Sequence, residues 1–564
     1  MDCLLGHTST GTVPRLHCVS ESQRGGKWLP VIVLGLAQFI MVLDTTVMNV
    51  SISTVVKDLD TTVTGLQLAI TSYALVMASF MLTGGRIGDI IGRRRAFAVG
   101  LVVYGIGSLI TSLSPNLETL LFGWSLVEGL GATLVIPAIM ALTAAAYQGK
   151  DRAMAYGVLG GIAGAGAAVG PLIGGAVTTY ASWRYVFAGE TVTVVILLVI
   201  GLRHLPSPQA TGGRVAPLEV LVTSLGMSLI VLGVLKASEW GFLSPVNPPE
   251  ISGHTIAPFG LSPTPFLVGG GAALLAIFMR IARRSEAAGG APLASPRMLA
   301  LPRLRAGVAV TLLVQVALGG LFFTLPVFLQ VTLGKDAFAT GLQLIPLSIA
   351  LVVSSLAGAG LASRRSPKLV VTLGFGLMGI GLLLLSNFVS EDFRDIGFSI
   401  GMAVCGCGMG LVMSQTSNIV MSSVEESSTG QAGGVQGTGQ NLGMSLGTAF
   451  IGAVLLAGMT TGFNAQVSES TQLPTQVKQL VQQETEAGVA IVPESEVVNA
   501  ATKAGLSPSE VSSVADIYME AQVDALRSAI AITAAVAFAA LFLCRRLDIE
   551  TADPVAGAPQ PAAA

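Results

Sequence analysis

The chain has 564 residues, of which 52% are hydrophobic and only 11% are charged. A typical soluble domain carries roughly 25% charged residues, so a soluble fold of this length would lack the polar surface it needs. The 68 glycines suit closely packed membrane helices. A net charge of −2 excludes the basic field of a nucleic-acid-binding protein. The composition therefore indicates a protein embedded in a lipid bilayer, with no nucleic-acid partner.

The cysteines and histidines, which often serve catalysis or metal binding, are scattered along the sequence. The five cysteines, at positions 3, 18, 405, 407 and 544, show no metal-ligand spacing, and no G-x-x-x-x-G-K-[ST] phosphate loop occurs. The four histidines fall in tails or predicted loops. We expect no enzyme activity, no metal and no cofactor. ATP-driven transport would need a separate subunit.

Apolar runs long enough to cross a bilayer, about 20 residues each, occur fourteen times. They predict an all-α integral membrane protein with spans at 29–55, 66–86, 96–113, 117–146, 152–178, 186–204, 217–236, 266–283, 306–332, 338–362, 368–389, 396–423, 431–459 and 525–544.

Lys and Arg set the orientation of these spans. With the N-terminus inside, 22 of the 30 basic residues fall on the cytosolic side. Reversing the protein would invert that ratio. Both termini are therefore predicted to be cytosolic.

The predicted organisation is six helices, two inserted helices and six more. Its parts are a cytosolic tail (1–28), an N-terminal bundle (29–205), the inserted pair with its loops (206–305), a C-terminal bundle (306–544) and a second cytosolic tail (545–564). The C-terminal bundle includes a long acidic outer loop, 460–524, with helix-like stretches such as Val477 to Glu486. Ser507-Pro508 has the pattern of a helix cap, and the Pro-rich outer segment 238–265 is predicted to be irregular.

An internal repeat supports two bundles. The segment GGRIGDIIGRRR (84–95), called the signature loop below, joins spans 2 and 3, and a fainter copy, GAGLASRRSPK (358–368), joins spans 10 and 11. These are the second and third helices of each six-helix bundle. Paired bundles with a site between them are the plan of many secondary transporters.

The motifs of the chain resemble those of the major facilitator superfamily. The signature loop is similar to the superfamily pattern G-x-L-A-D-x-x-G-R-[KR]-x. GAAVGPLIGG (166–175) resembles the antiporter motif of exporters, and LDTTVMNVS (43–51) resembles a signature of the fourteen-helix drug:proton antiporters, the QacA/EmrB-like group. The run 325–346 is similar to the ninth-to-tenth-helix region of that group. The resemblance covers nearly the whole chain and implies the major facilitator fold and export.

The chain departs from the family in its fourth span. LLFGWSLVEGLG (120–131) corresponds to L-x-x-x-R-x-x-Q-G-x-G, so Ser125 replaces an Arg that the family links to proton coupling, and Glu128 replaces Gln. SWRYVFAGE (182–190) matches a W-R-W-x-F stretch, with Glu190 where Asn is common. The family route for coupling is therefore altered.

Acids at membrane depth are costly and usually functional. Asp44, Glu128 and Glu190 stand out at membrane depth, all in the N-terminal bundle, and we take them as the proton-coupling or substrate-binding candidates. For Asp44 the alternative is a structural role beside Thr45, Thr46 and Asn49. For Glu128 the alternative is a protonated acid bonded between helices. Glu190 lies nearer the outer end of its span, and we expect it to be solvated at the interface.

Polar candidates for a central cavity include Asn49 in the first span and amides of the C-terminal bundle. The amides are Gln315, Gln330, Gln343, Gln415, Asn418, Gln436, Gln440 and Asn441.

The glycine-containing motifs are interpreted mechanically. Pro171 is expected to kink its helix, and glycines at four-residue spacing to let backbones approach. The antiporter motif residues are Gly166, Gly170, Pro171, Gly174 and Gly175, and the signature-loop residues read as a cytosolic latch are Gly85, Arg86, Gly88, Asp89, Gly92, Arg93 and Arg94. Generic packing and topology-setting charge are the respective alternatives.

The sequence predicts a proton-coupled antiporter that exports small amphipathic, cationic or lipophilic compounds by alternating access. The alternative is a dedicated exporter or importer of one metabolite or lipid with the same fold. We expect a monomer in a bacterial cell membrane.

Overall fold

The structure is a computed structural model that describes residues 28–61, 63–207, 210, 216–245, 248–251, 254–362, 364–389, 396–425, 428–485, 489, 491–492 and 494–545. The predicted cytosolic tails therefore lie outside the described residues, except at residues 28 and 545, and so does Glu486.

The described chain is almost entirely helical. Its α-helices are α1 Leu29–Val50, α2 Ile52–Asp58, α3 Val63–Ile91, α4 Arg93–Ser112, α5 Leu117–Leu120, α6 Gly129–Ala146, α7 Gly149–Tyr180, α8 Arg184–His204, α9 Pro217–Trp240, α10 Thr264–Ala287, α11 Pro296–Leu299, α12 Pro302–Val327, α13 Ala337–Gln343, α14 Ile345–Ala362, α15 Pro367–Phe388, α16 Ile396–Met421, α17 Thr429–Glu469, α18 Thr475–Glu484, α19 Glu494–Lys503 and α20 Pro508–Cys544.

Two segments are wound as π-helix within longer helices. Leu121–Glu128 joins α5 to α6 as one continuous span, and Phe328–Thr332 extends α12. Single π-helical stretches inside α-helices are rare and often mark functional positions. The first of these stretches ends at a candidate residue, Glu128.

Fourteen of the described helices are long and apolar enough to cross a membrane, which confirms the predicted count. Only helices and closed barrels satisfy every backbone hydrogen bond within lipid, so apolar runs of this length fold as helices. The all-α prediction has a small exception. In the outer segment 238–265, predicted to be irregular, β1 Glu250–Ile251 pairs with β2 His254–Thr255 and a 3-10 turn follows at Pro258–Gly260.

The outer region 460–524 is more helical than a loop. Helix α17 continues to Glu469, and α18 and α19 follow, so the predicted helix-like stretch corresponds to α18. The last helix begins at Pro508 instead of residue 525. Ser507 caps it as predicted, because its side chain accepts from the Glu510 backbone while the Glu510 carboxylate accepts from the Ser507 backbone.

Two apolar cores hold the two bundles together internally, one in each half of the chain. Between the halves, α7 packs along α14 and α16, and α17 packs against α3 and α6. The contacts of α17 lie near its first residues, at Gly433 against Pro137 and Gly434 against Met81 and Leu82. Because α17 starts on the cytosolic side, this state is closed at the cytosolic end.

The inserted helices α9 and α10 pack on each other, and α9 also packs against α3 and α17. The linker after α10 turns back under these helices. Leu293 and Ala294 are buried, the Leu293 amide donates to a Glu219 carboxylate oxygen at 2.7 Å, and the Ser295 amide donates to Gln431 at 3.1 Å. Arg86 donates to the Ala291 carbonyl at 3.3 Å. The linker therefore touches both bundles at the closed end.

The signature loop is mostly not a loop. Residues 84–91 belong to α3, and α4 starts at Arg93, so one residue, Gly92, makes the turn. Its φ of 95° lies in the region that favours glycine. The predicted tight turn is confirmed, but the extent of the loop was wrong because the apolar residues Ile87, Ile90 and Ile91 continue the helix.

Candidate coupling site

Three carboxyl side chains from three spans meet inside the N-terminal bundle. Asp44 comes from α1, Glu128 from the end of the first π-helical segment, and Glu190 from α8. One oxygen of each lies within 4.8 Å of the others. All three residues are buried, with exposures of 0%, 0% and 3%. The sequence named these acids individually, and the structure brings them together.

Asp44 is held by an indole. Trp124 Nε1 donates to Asp44 Oδ1 at 2.8 Å, and the Trp124 ring stacks on Tyr73 with centroids 4.9 Å apart. The other Asp44 oxygen, Oδ2, has no hydrogen-bond partner among the described residues. One oxygen is thus fixed in orientation, and the second is available to a proton or a ligand.

Glu128 is placed by close helix packing. Gly107 on α4 lies so near that an added Cβ would fall 2.6 Å from the Glu128 Cβ. Neither Glu128 carboxylate oxygen has a hydrogen-bond partner among the described residues. The missing side chain at Gly107 therefore makes room for the buried Glu128 side chain.

Glu190 does not lie at a solvated interface, so that expectation was wrong. Tyr104 Oη and Ser108 Oγ both donate to Glu190 Oε2, at 3.3 and 3.2 Å. Glu190 faces α4 because α8 packs along α4, and α8 is apolar on all sides, so its hydropathy does not reveal this face. Burial inside the bundle, rather than depth along the span, decides the environment of Glu190.

The cluster carries no compensating base. Among the described residues, no Lys, Arg or His forms an ion pair with these acids, and Ser125, at the position of the family Arg, donates to the Ala69 carbonyl instead. Two ionised carboxylates 4.8 Å apart repel by about 3.5 kcal/mol at an effective dielectric constant of about 20. Three charges together would cost roughly three times that, before desolvation. The pocket must therefore hold protons, or a cation, whenever it is closed.

The antiporter motif supports the wall of this site. Gly166, Gly170 and Gly174 on α7 face Val42, Thr46 and Val47 on α1, and a Cβ at any of the three glycines would crowd these residues. Asp44 lies on α1 within this glycine-packed stretch. The expected close approach is confirmed. Pro171 lies inside α7, which runs from Gly149 to Tyr180, and the kink at Pro171 stays a prediction.

At the cytosolic end, Asp89 lies against the first turn of α17. A Cβ on Gly430 would clash with the Asp89 carboxylate, and Gly85 lies equally close to the Gly430 carbonyl. Arg93 Nε lies 3.5 Å from Asp89 Oδ1, and Arg86, Asp89 and Arg93 are all buried. A carboxylate at a helix N-terminus is stabilised by the helix dipole. The signature residues thus join the two bundles, as a latch would, and Arg94 lies beside them and is half-buried.

The amide candidates do not join the acid cluster. Gln415 is buried and donates to the Gly358 carbonyl at 3.2 Å, Asn418 donates to Gln415, and Gln436 donates to Ser417. These bonds tie α14, α16 and α17 together within the C-terminal bundle. Asn49 is exposed and bonds its own helix, and the remaining amides, at Gln315, Gln330, Gln343, Gln440 and Asn441, are half-buried.

Sequence reasoning missed the hydrogen-bond donors to the acids, Trp124, Tyr104 and Ser108, and the buried Tyr73 hydroxyl beside them. Trp124 lies four residues before Glu128, and Tyr104 lies four residues before Ser108, so each pair shares a helix face. Polar groups at that spacing within apolar runs were the available signal.

A second cluster lies at the outer end of the same bundle. Asp58 accepts from Trp183 Nε1 at 2.9 Å and pairs with Arg184, which also donates to the Ser114 carbonyl at 2.8 Å. The Trp183 hydrogen bond, reinforced by the Arg184 charge, holds the pKa of Asp58 below its usual value. This cluster fixes the start of α8, the helix that carries Glu190.

Fourteen spans in two bundles with an inserted pair define an integral membrane transporter. The sequence pattern of the Major Facilitator Superfamily matches residues 34–448, nearly three quarters of the chain. The chain belongs to that superfamily.

Relatives of known name are resistance and export proteins of bacteria. The puromycin resistance protein pur8 of Streptomyces alboniger is 31% identical over 78% of this chain and 83% of its own length. The probable actinorhodin transporter of Streptomyces coelicolor is 29% identical over 72% of this chain and 69% of its own length. The multidrug resistance protein Stp of Mycobacterium tuberculosis is 24% identical over 79% of this chain and 79% of its own length.

The fold is also that of a solved transporter. The human organic anion transporter MFSD10 superposes with a TM-score of 0.55 over 92% of this chain and 99% of its own, at 12% identity. That likeness concerns the fold alone.

Proposed function

We propose that this protein is an exporter that expels small amphipathic compounds, cationic or lipophilic, in exchange for protons by alternating access. The observation that carries the proposal is the closed pocket of three carboxyls without a base. Such a pocket is stable only when most of its negative charge is neutralised, so it must load protons before it closes and can release them when it opens to the other side.

Two further observations support export. Helix α7 packs on α14 and α16 of the C-terminal bundle and, through its glycine face, on the stretch of α1 that carries Asp44, so it connects the interface between the bundles with the acid. The relatives are named for resistance to, or export of, compounds that act on cells. We expect the proton gradient alone to drive the cycle, with no bound cofactor and with the monomer as the working unit.

The experiment is transport of ethidium and of puromycin in proteoliposomes of the purified full chain, under an imposed pH gradient. We expect Asp44→Asn and Glu128→Gln each to abolish gradient-driven transport. Asp516→Asn and Glu520→Gln, which remove exposed carboxylates near the outer end of α20, are the matched controls and should transport normally. Unchanged transport by both core variants would refute the assignment.

Dedication to one compound is the second possibility, and the relatives give it a specific reason. The cephamycin export protein CmcT of Amycolatopsis lactamdurans, 30% identical over 71% of this chain, is named for a single product, as is the probable actinorhodin transporter. Competition between ethidium and puromycin for one transport activity would favour a broad exporter. If the protein transports neither compound although it still responds to a pH gradient, an exporter dedicated to one compound would be favoured.

A further inference from the structure

Glu190 is the acid of the cluster that receives two hydroxyl donors. Two hydroxyls, Tyr104 Oη and Ser108 Oγ, donate to its Oε2, while its Oε1 has no hydrogen-bond partner among the described residues. Hydroxyl donors that converge on one oxygen leave the second oxygen facing the cluster. Glu190 is therefore oriented as a member of the site and not as a helix-packing residue.

A second polar group points to exchange within the pocket. The hydroxyl of Tyr73 is buried, with 3% of the residue exposed, and makes no hydrogen bond to a described residue, yet it interacts electrostatically with Asp44, Glu128 and Glu190. A buried hydroxyl without a partner is costly unless something transiently occupies its lone pairs or accepts its proton. The Tyr73 ring stacks on Trp124, and its hydroxyl interacts with all three acids.

Four carboxylate oxygens of the cluster have no hydrogen-bond partner among the described residues. They are Asp44 Oδ2, both oxygens of Glu128 and Glu190 Oε1. A single proton could join one pair of carboxyls in a shared hydrogen bond, but it would leave two negative charges within 4.8 Å in a pocket without a base. A second proton leaves one charge, which the Trp124 and Tyr73 groups can stabilise.

Resting on the proton-driven export proposed above, we propose that Glu190 is a third coupling residue and that the closed pocket carries two exchangeable protons. One cycle then moves two protons inward for each compound moved outward. The groups that face Glu190 are Asp44 from α1, Tyr73 from α3, Tyr104 and Ser108 from α4, and Glu128 from the π-helical segment.

The ratio has a measurable electrical consequence. Exchange of one monovalent cation for one proton moves no net charge, whereas exchange for two protons moves one positive charge inward. In the second case the membrane potential adds to the driving force, and about 100 mV changes the accumulation ratio of the transported cation by about 50-fold. The first case does not respond.

The experiment measures ethidium export from proteoliposomes of the full chain, with potassium diffusion potentials set by valinomycin and choline as the remaining cation. We expect wild type to respond to the potential as well as to the pH gradient. Glu190→Gln should keep the response to the pH gradient but lose the response to potential, and Glu190→Asp should recover it. Thermal unfolding of each variant shows whether it is folded.

The outcomes separate the two proposals. Absence of any pH-driven export in wild type refutes proton antiport itself. Export in wild type that depends on the pH gradient and not on potential leaves antiport standing and overturns the two-proton pocket. Glu190→Gln that still responds to potential, or loss of transport in both Glu190→Gln and Glu190→Asp, overturns the role of Glu190. If a folded Glu190→Gln loses the response to potential and Glu190→Asp fully recovers it, the role of Glu190 is supported.

The hydroxyl donors give a further readout. Tyr104→Phe and Ser108→Ala remove the donors to Glu190 and act as positioning changes, so they should shift the pH profile of export without abolishing it. A merely structural role for Glu190 would leave that profile where it is in wild type.

Discussion

A methyl group added at Gly430 should open the cytosolic end of the transporter. Gly430 lies in the first turn of α17, where its missing side chain makes room for the Asp89 carboxylate and its carbonyl lies against Gly85 of α3. Gly430→Ala cannot keep both contacts, because the added Cβ would occupy the position of the carboxylate. The helices must separate or Asp89 must leave the α17 N-terminus.

Overpacking of this kind costs about 1–3 kcal/mol. The cost falls only on the closed state, since the two helices part when the cytosolic side opens. A bias of about 1–3 kcal/mol shifts a two-state population by about 5–150-fold. We therefore expect Gly430→Ala to favour the inward-open state by a factor in that range.

The assay is maleimide labelling of a single cysteine at Met140, in a background without the native cysteines. Met140 is buried on α6 and faces Gly433 of α17, so its labelling requires opening of the cytosolic side. Gly376→Ala is the control, because an added Cβ at Gly376 on α15 meets nothing within 4 Å. A labelling rate for Gly430→Ala equal to that of Gly376→Ala, or slower, would refute the reasoning.

Three further changes follow from the packing. Gly107→Ala should push Glu128 out of place at a cost of about 1–3 kcal/mol and reduce pH-driven export, whereas Gly269→Ala, in open space, should not. Leu293→Ala should destabilise the linker under the inserted helices by about 2–5 kcal/mol, seen as a lower midpoint of thermal unfolding. Asp58→Asn should cost at most about 1 kcal/mol, since Asp58 is half exposed. Because its pKa is lowered on folding, that difference should be present at neutral pH and vanish as the pH falls below about 4.

The sequence by itself predicted the fourteen spans, their orientation and, as single residues, the three acids of the site. Length and hydropathy decide membrane crossing almost independently of packing, because lipid imposes the same requirement on every helix. The motifs located Asp44 and Glu128, since acids at membrane depth stand out in apolar runs.

Only the tertiary structure decided which residues meet. Helix α8 is apolar on all sides, so nothing in its pattern shows that Glu190 faces α4 instead of the outer interface. The contact of Trp124 with Asp44 joins residues 80 positions apart, and the approach of Gly430 to Asp89 joins the two bundles. Sequence periodicity gives depth along a helix, but in a membrane the rotation of each helix depends on its neighbours, because apolar side chains suit lipid and protein equally well.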